Sequence, residues 1–78
     1  MTPRFPVGLA FVYYADKQKK QQTIVDIYTT TNSKGAVVAI EYVAVHAFLG
    51  QKVTQKFGDT AIARSLSPDV FAAYRDGV

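Results

Sequence analysis

Thr23-Ile24-Val25-Asp26-Ile27-Tyr28-Thr29-Thr30-Thr31-Asn32-Ser33-Lys34-Gly35-Ala36-Val37-Val38-Ala39-Ile40-Glu41-Tyr42-Val43-Ala44-Val45-His46-Ala47-Phe48 is the stretch whose reading decides the fold. A run of β-branched and aromatic residues enters Asn32-Ser33-Lys34-Gly35, and a second apolar run leaves it. Strand formers on both sides of a short polar loop, with Asn at its start and a Gly able to take positive φ at its end, predict a β-hairpin. In its first arm Val25 and Ile27 fall on one face and Asp26 and Tyr28 on the other, as a period of two requires. The second arm, Val37 to Phe48, is apolar on both faces and long for a strand. Such a strand is expected to bend or carry a bulge, passing its core side from one part of the sheet to another.

Working outward, Met1 to Gly8 holds two prolines and a glycine and reads as an irregular lead-in. Leu9 to Ala15 is a first strand, apolar on both faces. Asp16 to Gln22 (Asp-Lys-Gln-Lys-Lys-Gln-Gln) reads as a polar loop. Beyond the central hairpin, Leu49-Gly50-Gln51 turns the chain into a fourth strand over Lys52 to Phe57. Asp59 is placed to cap a helical turn over Thr60 to Arg64. Ser67 as N-cap with Pro68 at the first helical position starts a short helix, whose apolar side is Val70, Phe71 and Tyr74 and which Gly77 stops. The prediction is one mainly β domain over residues 1–78. Four to five antiparallel strands form a small barrel or strongly bent sheet, followed by a short C-terminal helix.

A chain of 78 residues makes one domain, and at this size only about 60 to 65% of the unfolded surface is buried, so the core is thin. With 49% apolar and 19% charged residues the composition is that of a folding chain, not a disordered one. The absence of cysteine removes disulfides and thiolate metal sites. It fits a reducing compartment, and with no apolar run long enough for a signal peptide or membrane span the expected location is the cytoplasm, away from membranes. Nine basic against six acidic residues give a net charge of +3, a mild excess that raises the prospect of nucleic acid only modestly.

No catalytic constellation can be assembled. Ser33, Ser65 and Ser67 fall where turns and caps want serine, and the acids Asp16, Asp26, Glu41, Asp59, Asp69 and Asp76 are scattered without metal-ligand spacing. His46, the one histidine, lies in an apolar strand and reads as structural. No catalytic residue, metal or cofactor is expected. The candidate binding surface is Lys17, Lys19, Lys20, Lys34, Lys52 and Lys56 for charge, with Tyr14, Tyr28 and Tyr42 as its aromatic members. A basic, tyrosine-bearing sheet is one way of holding single-stranded nucleic acid. The same residues serve as solvated loops, core and protein interface, and that reading is favoured.

The segments Phe5-Pro6-Val7-Gly8, Thr23 to Gly35, Tyr42 to Val53 and Thr60-Ala61-Ile62-Ala63-Arg64 resemble small uncharacterised bacteriophage and prophage proteins. Those are similar to SH3-like barrels in their order of short strands. The resemblance covers about residues 5 to 66 and leaves out the helix from Ser67. It implies a viral origin, an SH3-like barrel and a binding role, and assigns no residue a task. The leading expectation is a phage-type accessory protein that binds a host or viral protein as an inhibitor or adaptor of host machinery or defence. A nucleic-acid-binding barrel is the alternative, and a structural homo-oligomer, a homodimer in its simplest form, is the third reading.

Overall fold

The computed structural model describes residues 3–15 and 18–75 and contains β1 (Ala10–Ala15), β2 (Gln18–Thr31), β3 (Val37–Phe48), β4 (Gln51–Gly58), α1 (Asp59–Ser65) and α2 (Pro68–Ala72). The strands form one antiparallel sheet in the order β1-β2-β3-β4. The mainly β reading and the short C-terminal helix hold. Closure into a barrel does not: the sheet is open, with β1 and β4 at its edges. The physical reason lies in what covers its apolar face. The sheet curls far enough for Phe11 and Tyr13 of β1 to meet Phe57 of β4 but forms no β1–β4 ladder, and chain from both ends folds over the same face, so α1, the lead-in and α2 complete the burial.

The central hairpin turns where expected. Asn32 Oδ1 accepts from the backbone N–H of Lys34 (2.9 Å) and Ala36 (3.1 Å), and Gly35 sits at φ +82°, the Asx-turn chemistry that makes Asn and Gly good turn residues. Two local expectations are corrected. The segment Gln18–Gln22 is strand, not loop, because it is paired residue by residue with β1, from Ala15 opposite Gln18 to Phe11 opposite Gln22. Ladder bonds and neighbours override the low strand propensity of Gln and Lys. The change of phase also falls mainly in β2. Ile24 lies opposite Ala44 and Asp26 opposite Val43, so Val25 is bulged, is 45% exposed and does not share the core face with Ile27. In β3 the phase holds from Tyr42 through Ala44 to His46, all buried, and its own irregularity is confined to Val38 near the start.

Phe5, Phe11, Ile24, Tyr42, Ala44, Phe57 and Ile62 form the core on one side of the sheet, with Leu9, Ile27, Leu66, Phe71 and Tyr74 packed against it. Phe11 and Tyr13 meet Phe57 edge-on, at 5.2 and 4.9 Å between ring centroids, the arrangement favoured by aromatic quadrupoles. The lead-in is tied down more firmly than its prolines suggest: Gly8, at φ +98°, donates to the Ile24 carbonyl (2.8 Å), and Ile24 donates to that of Leu9 (3.0 Å). Asp59 begins α1 but makes no cap bond. Its carboxylate is taken instead by Arg4. In α2 the Ser67 hydroxyl accepts from Val70 N–H (3.4 Å) as expected, whereas the stop expected at Gly77 lies outside the described residues.

Candidate functional site

Among the described residues, only one face of the sheet is covered. On the other face, cross-strand registers place residues in rows. Ala47 lies opposite Lys52; Val45 is flanked by Thr23 and Thr54, and Ala10 lies beyond Thr23; Val43 is flanked by Asp26 and Lys56; and Glu41 is flanked by Tyr28 and Gly58. Antiparallel sheets normally make their solvent face polar. Here the middle of the face is a stripe of valines and threonines. Val12, Thr23, Val43 and Val45 are half-buried by neighbours within the sheet itself, with no second layer over them among the described residues.

At one end of this face an open groove of about 440 Å³ is lined by Lys19, Lys20, Gln21, Thr23, Val45, His46, Ala47 and Lys52. The structure thus brings Lys19, Lys20 and Lys52 together, with no carboxylate among the described residues of the lining. Lys20 also lies 5.0 Å from the centroid of the Phe48 ring, a cation–π contact. Lys56 stands farther along the same face, opposite Val43, while Lys34 is in the β2–β3 turn at the far end of the sheet. Lys17 and the side chain of Tyr14 lie outside the described residues, though the Tyr14 backbone pairs with Lys19. Tyr28 is 54% exposed, and its hydroxyl titrates above its ordinary range because of a hydrogen bond to Asp26. Tyr42 leaves the candidate surface altogether: its side chain is fully buried, because it faces the same side of β3 as Ala44 and His46. Burial, partly offset by hydrogen bonds from the N–H groups of Phe5 and Arg4, raises its pKa.

The β3–β4 turn lies where the sequence places it, but its backbone is a feature that sequence reading passed over. Phe48 pairs with Gln51 across a two-residue turn in which Leu49 has φ 52° and Gly50 φ 78°. Both central residues of this turn need positive φ, for which Asn-Gly is the preferred pair. A leucine there carries backbone strain on the order of 1 kcal/mol. It is also 88% exposed, beside a Phe48 that is 47% exposed. The signal was present in Leu49-Gly50, a two-residue turn whose first position holds the wrong chemistry for its backbone.

Two polar clusters belong to the architecture. Arg4 forks onto Asp59, with Nε donating to Oδ1 at 3.0 Å and Nη2 to Oδ2. Its guanidinium lies 5.1 Å from the ring centroids of both Phe5 and Phe71, and the hydrogen bond to Asp59 raises its pKa. His46 Nδ1 lies 3.1 Å from Gln22 Oε1 within the buried face, while Gln22 Nε2 has no hydrogen-bond partner among the described residues. Among the described residues no group of three His, Cys, Asp or Glu side chains could hold a metal, and no helix is long and apolar enough to cross a membrane. Comparison with protein-family models, with curated proteins and with solved structures yields no match for this chain.

Proposed function

We propose that the chain is a small non-catalytic binding module that engages a host or viral protein through the tip of the β3–β4 hairpin, as a phage-type inhibitor or adaptor. One observation carries the reading: Leu49, almost fully exposed, is held in a left-handed backbone conformation beside a half-exposed Phe48. An apolar side chain in that place costs stability and gains nothing from the rest of this chain. Strain that persists on an exposed tip is characteristic of recognition sites, and an apolar knob suits a pocket on a protein, not a phosphate backbone. The phage setting is carried over from the resemblance read in the sequence of residues 5 to 66.

The test separates binding from folding. Leu49→Asn relieves the strain, so its urea midpoint rises, by about 1 kcal/mol of stability. The same variant, tagged and passed over bacterial lysate treated with nuclease, loses the protein that the unaltered chain retains. Retention of the same protein by both would sink the assignment of the tip. The groove lined by Lys19, Lys20 and Lys52 favours a second reading, nucleic acid, and that reading requires nuclease-sensitive recovery that weakens steeply with salt.

A further inference from the structure

The tip leaves the uncovered sheet face unassigned. From its register the uncovered face has a charge order along the strands: Lys52 and Lys19 stand at the groove end, the valine rows lie in the middle with Asp26 and Lys56 offsetting each other on either side of Val43, and Glu41 with Tyr28 stands at the other end. The row of Lys52 and the row of Glu41 are six residues apart along β3, which is roughly 20 Å. A polyanion laid along this face meets Glu41 and Asp26. A neutral apolar partner leaves Lys52 and Glu41 without counterparts. A second copy turned end for end satisfies both ends at once.

We infer that two copies of this chain stack their uncovered sheet faces about a two-fold axis running across the strands between the Val43 and Val45 rows, with Lys52 of each copy at the Glu41 end of the other. That axis lays Val45 over Val43 of the second copy and the reverse, so the valine stripe closes on itself. The pairing is isologous, as two-fold dimers require, and sheets packed face to face sit about 10 Å apart with strands roughly aligned. Three strands about 4.8 Å apart over roughly 20 Å, with β1 reaching no farther than the Val45 row, give a footprint of about 300 Å² per copy. This is small beside a standard interface, so the dimer is weak and concentration-dependent, with a dissociation constant on the order of 10 μM or above. The β3–β4 tips lie beyond the Lys52 and Glu41 rows, at opposite ends of the pair.

Sedimentation velocity on the full chain, from ~1 μM to ~1 mM, tests the arrangement. The unaltered protein is expected to pass from monomer to dimer. Lys52→Glu and Glu41→Lys, both exposed positions whose folding is checked by circular dichroism, each place like charges together twice and weaken the dimer about tenfold. An equimolar mixture of the two variants restores association, because each then meets its opposite at both contacts. A chain that stays monomeric at ~1 mM overturns the inference. So does a dimer insensitive to both reversals, or a pair of weakened variants that mixing does not rescue. Oligonucleotide binding that is lost in Lys52→Glu assigns the face to nucleic acid and likewise rejects the stacked pair.

Discussion

His46 illustrates how much a single residue conceals in a sequence. Its place in an apolar strand pointed to a structural role, and its imidazole is buried. Its partner, Gln22, belonged to a stretch read as loop and could not be found from spacing alone. With Gln22 Oε1 accepting from His46 Nδ1–H at 3.1 Å, the amide nitrogen is buried with no partner among the described residues. A buried donor without a partner costs about 1–3 kcal/mol, and removing one member of a polar pair transfers that cost to the other. Gln22→Leu alone should therefore destabilise the protein by about 1–3 kcal/mol by stranding the imidazole, and His46→Phe alone should do the same to the amide. The double variant should cost less than the larger of the two single changes. Urea denaturation of all four proteins measures the coupling; additive losses would show that the pair is not an energetic unit.

At the scale of elements, the β2–β3 hairpin was legible because strand propensity, turn chemistry and alternation agreed. The β1–β2 hairpin was not, since Gln18-Lys19-Lys20-Gln21-Gln22 becomes strand only through its pairing with Val12 and its neighbours, a non-local effect. Likewise no local pattern could announce the Val25 bulge, which exists because Ile24 and Ile27 are both drawn to the core side, three residues apart where the period is two. Asp59 looked like a cap from its position before Thr60, yet Arg4, 55 residues away, claims its carboxylate. That clamp joins the lead-in to α1, and its ring contacts extend to α2. Arg4→Ala should lower stability by about 1–3 kcal/mol, through lost ring packing as much as lost charge. Arg4→Lys should recover less than half of this, because an ammonium cannot fork onto a carboxylate or lie flat between two rings. Equal stability of the lysine variant and the parent in urea would reduce the clamp to a simple charge pair.

For the molecule as a whole, the covered area falls short of the sheet. The radius of gyration is 13.3 Å and the long axis 44 Å, whereas a compact chain of this length has a radius of about 11.5 Å. The excess lies in the strands, of 14 and 12 residues in β2 and β3, which outrun the two short helices. A barrel or a strongly bent sheet was the expectation from apolar character on both faces of β3. The sheet bends but stays open, covering one face with α1 and the chain ends and leaving the valine rows of the other uncovered among the described residues. Candidate lysines then divide according to which strand end they occupy, a matter of register that no spacing in the sequence discloses. Such a shape should open from its ends. Amides of Ile24, Tyr42 and Ala44, beneath Phe5 and Ile62, should exchange with solvent only through global unfolding, whereas those flanking the Leu49-Gly50 turn should exchange through local opening at lower free energy. In the associated state, protection should rise in the Val43 and Val45 rows and not at the tip. Hydrogen exchange at ~1 μM and at ~1 mM compares the two: uniform protection along β3 would mean that the overhanging ends are as firmly held as the core, and a concentration-dependent rise at Leu49 would move the interface to the hairpin tip.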